Sequence, residues 1–273
     1  MDLYLNIADG IIHVLWDCDS LTDNLGRLFS PWQTSLENVR YQKEYKIAIT
    51  KSPEGFYVLS PHRPSEICPD ELVLFSTLEY FITLLALDIL HNHIRYHASV
   101  IDLNGYGALI VGDHDSGKTT LALTAISSGF RALSDEVGVV LDDCETAIGF
   151  PRPFRIKKNT RELKPPVIPS CCSTLRISDE LSYFFFDNYY APSTKLKYIF
   201  FPELRPGETS FRMLGETEAF QCILPQGFRC NIQPEHWLKD IIHLIHNVSI
   251  YKISFYDNWD VILKIRDMLE EKS

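Results

Sequence analysis

Residues 112–119 read Gly112-Asp113-His114-Asp115-Ser116-Gly117-Lys118-Thr119, followed by Thr120. They meet every fixed position of G-x-x-x-x-G-K-[ST], the phosphate-cradling P-loop pattern. A chance match in a chain of this length arises about once in a hundred sequences, or less often. Each residue type has a chemical reason. Gly112 and Gly117 take backbone angles that other residues resist, and they let the chain approach a phosphate closely. The N–H groups of the loop and of the following helix point at the anion. Lys118 supplies a point charge to the β- and γ-phosphates, and the Thr119 hydroxyl is a ligand for Mg²⁺. Asp113, His114, Asp115, Ser116 and Thr120 complete the expected nucleotide-binding segment.

The neighbouring sequence supplies the elements that must position this loop. An apolar run, Ala108 to Val111, reads as the strand entering it. Leu121, Ala122, Ala125 and Ile126 give the following helix an apolar face, and Gly129 is placed to end it. Arg131 to Ser134 reads as the next strand, closed by Asp135 and Glu136. Ligands of open α/β sheets sit at the carboxyl ends of strands. A carboxylate there holds Mg²⁺ or takes a proton from an attacking hydroxyl. Asp135 is the first choice as base, with Glu136 second, and Thr119 with Asp135 the expected metal pair. His97 opens the strand expected beside the one that enters the loop.

From Tyr96 to Val140 the chain resembles the C-terminal catalytic domain of HPr kinase/phosphorylase and its relatives. The stretch HASVIDLNGYGALIVGDHDSGKTTLALTAISSGFRALSDE carries the likeness. It has a His and a small residue, two strands around a glycine turn, the loop, a helix ending in Gly, and a short strand closed by two acids. The resemblance implies an α/β P-loop core of the HPr kinase and phosphoenolpyruvate carboxykinase type, with a mixed β-sheet. It implies that the acids Asp135 and Glu136 supply the base, that His97 lies beside the reacting phosphate, and that ATP and Mg²⁺ are used with Lys118 and Thr119. Farther on, SIYKISFYDNWDVI is similar to the late strand of such kinases. The first 95 residues do not match their regulatory domain, and no Arg-Gly-x-Gly segment follows the acids. This pattern is closer to the divergent kinases encoded with ribosomally made peptides such as lasso peptides, which phosphorylate a serine hydroxyl on a peptide. HPr kinases are oligomeric, and the likeness extends the expectation of a homo-oligomer.

The rest of the sequence sets bounds. The 273 residues carry a net charge of -10, which argues against a nucleic-acid coat protein. Within this acidic chain the run Arg152, Arg155, Lys157, Lys158, Arg161 and Lys164 is basic. Arg152, Arg155 and Lys157 are candidates for phosphate or peptide-carboxylate contacts, with a solvated loop as the alternative. Seven cysteines without Cys-x-x-Cys spacing fit free thiols in a reducing compartment. The N-terminus lacks the pattern of a signal peptide, so the expectation is a cytoplasmic protein. Leu72 to Leu90 contains Glu79 and Asp88 and reads as a buried core helix rather than a membrane span, capped by Asp70. His91 and His93 read as helix-end residues, Asp142, Asp143 and Glu145 as a hairpin turn, and Trp237 and Trp259 as core anchors. The expected organisation is a small β-rich subdomain with a linking helix over 1–95 and a P-loop catalytic domain over 96–273. The function expected is ATP- and Mg²⁺-dependent transfer to a serine-type hydroxyl of a small protein or peptide, with no nucleic-acid or membrane partner. The alternatives are another P-loop small-molecule kinase or NTP hydrolase, or a non-catalytic nucleotide-sensing, peptide-binding module.

Overall fold

The structure is a computed structural model that describes residues 1–8, 10–36, 40–150, 152–157, 172–178, 181–186, 190–227 and 234–271. The described chain clusters into two compact units. One holds Met1–Leu90, Pro151–Lys158 and Ser173–Phe185, and the other holds His91–Phe150 and Phe186–Ser273.

The first unit begins with β1 (Asp2–Ile7) and β2 (Gly10–Trp16), an antiparallel pair. In β1 alternate residues are buried, the period expected of a strand with one covered face. After a crossover containing the helix α1 (Thr22–Leu28), β3 (Lys43–Ser52) pairs parallel with β2. β4 (Gly55–Leu59) and β5 (Glu66–Cys68) finish a five-stranded sheet in sequence order. Gly55 sits at φ 131°, where a Cβ would lie 2.2 Å from the Cys68 carbonyl oxygen, so only glycine fits that turn.

Helix α2 (Glu71–Ile89) packs on this sheet and buries Leu74, Phe75, Leu78, Phe81, Ile82, Leu85 and Ile89. The Asp70 side chain accepts from the Val73 N–H at 2.9 Å, the N-cap expected from the sequence. By length and composition alone α2 could cross a membrane, but half of its most apolar window is buried inside the protein. It also carries the buried Glu79, to which Arg152 Nε donates at 2.6 Å.

The second unit opens with β6 (Ile94–Tyr96), β7 (Ala98–Leu103) and β8 (Tyr106–Val111). Helix α3 (Lys118–Ser127) follows, then β9 (Arg131–Ser134), β10 (Gly138–Val140) and β11 (Thr146–Ile148). Gly129, at φ 96°, ends α3 as the sequence indicates. Asp143 accepts from the backbone N–H groups of Glu145 and Thr146, which makes the β10–β11 connection the turn expected there.

The chain then contributes β12 (Phe154–Lys157), β13 (Cys172–Arg176) and β14 (Leu181–Phe186), a separate sheet in the order β12-β14-β13. These segments cluster with the first unit although the sequence places them after the P-loop stretch. The physical reason is that Arg152 and Tyr183 both bond Glu79 of α2.

The second unit resumes with β15 (Ser193–Leu204), β16 (Ser210–Met213), α4 (Glu216–Ile223), α5 (Pro234–Asn247), β17 (Ser249–Phe255) and α6 (Asn258–Glu270). Its nine strands form one mixed sheet with the path β6-β10-β11-β15-β8-β7-β9. β15 runs parallel to both β8 and β17, and β16 pairs antiparallel with β17. The architecture is α/β with a mixed sheet. α3 and α6 pack together, while residues of α4 and α5 join the core around Val100, Leu109, Val111, Leu133 and Ile199. Trp237 packs against this core. Trp259 does not act as the core anchor expected and is 38% exposed. It lies off the stripe of Val261, Ile262, Ile265 and Leu269 that α6 buries.

Cys144 is fully buried in the same core, and burial with nearby Asp240 pushes its thiol up to about 11. Native protein at about pH 8 is therefore expected to leave Cys144 unalkylated by iodoacetamide, whereas unfolded protein reacts there. Peptide mass spectrometry reads the difference, and labelling of Cys144 in the native state would contradict it.

Candidate functional site

Strand direction explains why the singled-out residues meet. β8 and β9 both pair antiparallel with β7, one on each side. They therefore run the same way, and their carboxyl ends lie at one edge of the sheet. The loop after β8 and the acids after β9 emerge there. β7 runs the opposite way, so its first residues, just after His97, reach the same edge. Ala98 opposes Val111, and Val100 opposes Ser134. The residues converge although nearly forty positions of chain separate His97 from Glu136.

The loop bends through two left-handed positions, Asp115 at φ 63° and Gly117 at φ 94°. At Gly112 a Cβ would stand 2.9 Å from the Ser116 hydroxyl, which would have to shift to admit a larger residue. Lys118 is buried and its ammonium donates to the carbonyls of Gly112 and Asp113 at 2.9 and 2.7 Å. Burial pushes its pKa down, opposed by the carboxylates of Glu136, Asp135, Asp113 and Asp115. The Ser116 hydroxyl oxygen is buried without a hydrogen-bond partner. An orphaned polar atom of this kind, beside a buried cation, can accept or donate a hydrogen bond to a bound group. Asp113, His114 and Asp115 are exposed, and Thr120 is partly buried.

Thr119, at the start of α3, donates its hydroxyl to Asp135 Oδ1 and Oδ2 at 3.1 and 3.0 Å. Ser99 Oγ donates to Asp135 Oδ1 at 2.6 Å, and Asp135 is 1% exposed. Glu136 is more open and lies 3.1 Å from His97 Nε2 through Oε2. Glu136 takes φ 69°, a left-handed conformation that is costly for a residue with a side chain. The His97 N–H donates to the Gln226 carbonyl at 2.9 Å, and the Gln226 amide donates to Asp113 Oδ1 at 2.8 Å. Gln226 thereby ties the start of β7 to the loop.

His97, Lys118, Thr119, Asp135 and Glu136 thus stand together around the loop. Ser99 and Gln226 were not anticipated. Ser99 had a signal: it lies two residues after His97, the spacing that returns a side chain to the same face of an extended chain. Gln226 had none, because it arrives from a distant turn. Arg152 and Arg155 fall in the first unit. Arg152 is occupied by Glu79 there, so the guanidinium expected on a phosphate neutralises a buried helix carboxylate. Arg155 stands in β12 opposite Tyr183. The Lys157 side chain, with Lys158, Arg161 and Lys164, lies outside the described residues, as do Cys171, the Cys172 side chain and Cys230.

No protein-family model matches the chain. No curated protein matches it. Among solved structures it is similar to the HPr(Ser) kinase/phosphatase from Coxiella burnetii, at 12% identity and a TM-score of 0.34. That likeness covers 65% of this chain and 92% of the other, and it is a coarse structural relationship.

Proposed function

We propose that the chain is an ATP- and Mg²⁺-dependent phosphotransferase that phosphorylates a serine-type hydroxyl on a small protein or peptide. In this reading residues 96–273 carry the P-loop catalytic part, of the HPr-kinase-related kind, and the protein works in the cytoplasm. The observation that carries it is the bond from Thr119 to both oxygens of Asp135, beside a buried Lys118 at the mouth of a glycine loop. The unpartnered Ser116 hydroxyl in the loop fits a phosphate group.

Each residue has a role in this reading. Lys118 exchanges its two carbonyl partners for phosphate oxygens and offsets charge on the transferring group. Thr119 and Asp135 would hold Mg²⁺, whose chemistry is to neutralise the charge of bridged phosphates. Asp135 is buried and fixed by two hydroxyls, which suits holding a metal better than meeting a substrate. Glu136, more open and paired with His97, is the better placed group to take the acceptor hydroxyl's proton. His97 orients that carboxylate.

The test is transfer from labelled ATP to serine-bearing peptides. Glu136→Gln is expected to lower transfer about a hundredfold with nucleotide affinity retained. Asp135→Asn is expected to raise the Mg²⁺ concentration required for half-maximal rate. Full transfer in both variants would overturn the reading.

A further inference from the structure

We propose that His97, His114 and Glu136 form a site for one divalent transition-metal ion of the zinc class, separate from the Thr119–Asp135 pair. Their ligand atoms all lie within 4.8 Å of one another. Two ligands of a tetrahedral zinc ion, each bound at about 2.0–2.2 Å, stand about 3.3–3.5 Å apart. His97 Nε2 and Glu136 Oε2 are already at 3.1 Å. The His114 ring lies 4.6 Å from the His97 ring, and His114 is exposed. A small side-chain rotation therefore completes the third bond at little cost in packing.

The donor set decides the metal. Two imidazoles and a carboxylate favour zinc, cobalt and their neighbours, whereas Mg²⁺ prefers an oxygen shell that keeps several waters. Thr119 and Asp135 offer only oxygen, so the two sites sort metals by chemistry. Three protein ligands also leave a fourth position open.

Two features besides proximity hold the triad ready. Glu136 keeps its left-handed backbone angle, φ 69°, with its carboxylate at His97. Gln226 clamps both the His97 backbone and Asp113, the residue before His114. Sequence spacing conceals the site, since its ligands come from three separate segments.

A metal bound here ligates His97 and Glu136 in place of their mutual hydrogen bond, and it pins the loop through His114. If the acid–base roles proposed above hold, zinc inhibits transfer in the presence of excess Mg²⁺. The binding itself does not depend on that reading.

The experiment titrates metal-free full-length protein with Co²⁺, reading its visible absorption bands, and repeats this with Zn²⁺ against a chromophoric chelator. One ion per chain is expected, undisturbed by excess Mg²⁺, with affinity at least about tenfold lower in His114→Ala and in Glu136→Gln. Circular dichroism of each variant checks its fold, and His114, being exposed, is the safer of the two. Equal binding by wild type and His114→Ala, or displacement of Co²⁺ by Mg²⁺, would overturn the site. ATP binding measured in parallel separates the two ideas: an intact nucleotide affinity with no metal binding sinks only the metal site.

Discussion

On the proposed function, Lys118→Met is expected to lower phosphoryl transfer at least about a thousandfold while leaving the ligand-free fold as stable as before, or more so. The two halves have one cause. In the free protein the ammonium is buried against the carbonyls of Gly112 and Asp113, and that burial pushes its pKa down. A base whose pKa falls on folding holds its proton less tightly in the native state than in the unfolded one. Its charge therefore opposes folding at neutral pH. That cost is relieved as pH rises through the lowered folded value toward the ordinary lysine value of 10.5. Methionine has similar length and no charge to desolvate. The loss of a donor to two loop carbonyls works against this gain, and water at the partly exposed loop can replace it. Thermal melting of the free protein and single-turnover transfer from ATP measure the two halves separately. A variant that melts far below the wild type, or keeps transfer within tenfold of it, would refute the argument.

The same balance shows what the sequence could reveal. The loop and its helix were legible because their chemistry is local. Gly112, Gly117, Lys118 and Thr119 lie within eight residues, and the left-handed angle at Gly117 follows from residue type, whereas the one at Asp115 does not. Asp135 and Glu136 were legible because they close a short apolar strand. The turn at Asn104-Gly105 announces the pairing of β7 with β8, but the pairing of β7 with β9 that brings His97 to the acids is non-local and shows only in the fold.

Where the sequence reading and the structure part, long-range contacts decide. The parallel pairing of β2 with β3 spans a crossover that no turn signal announces. The basic run after Phe150 offered phosphate contacts or a solvated loop, because only its own composition was visible. Arg152 in fact answers a glutamate more than seventy residues earlier, on α2. Conversely, Glu79 stood in the sequence as an acid within an apolar helix, and only the fold supplies its partner. His114 shows the reverse case. As a variable position of the loop pattern it carried no separate signal, and its meaning comes from His97 and Glu136 beside it.

The buried pair on α2 sets up the largest expected change in stability. Glu79 is 4% exposed, and its carboxylate accepts from Arg152 Nε at 2.6 Å, from Thr83 Oγ1 at 3.4 Å and from the Tyr183 hydroxyl at 3.5 Å. Burial, with the charge of Glu79 second, pushes the Tyr183 phenol up. Glu79→Ala removes the counter-charge and leaves the Arg152 guanidinium, itself only 15% exposed, inside the first unit without it. Such a broken pair costs about 3–5 kcal/mol, which corresponds to a fall in melting temperature of roughly 10 °C or more. The doubly apolar variant Glu79→Leu with Arg152→Met is expected to recover most of that loss, since it removes both desolvation costs and keeps volume. Calorimetry of the two variants against wild type tests the point. A single variant that loses less than about 1 kcal/mol would mark the pair as effectively solvated, like an exposed salt bridge. A double variant less stable than Glu79→Ala would show that the polar cluster with Thr83 and Tyr183, rather than the charge pair, fixes β12 and β14 to α2.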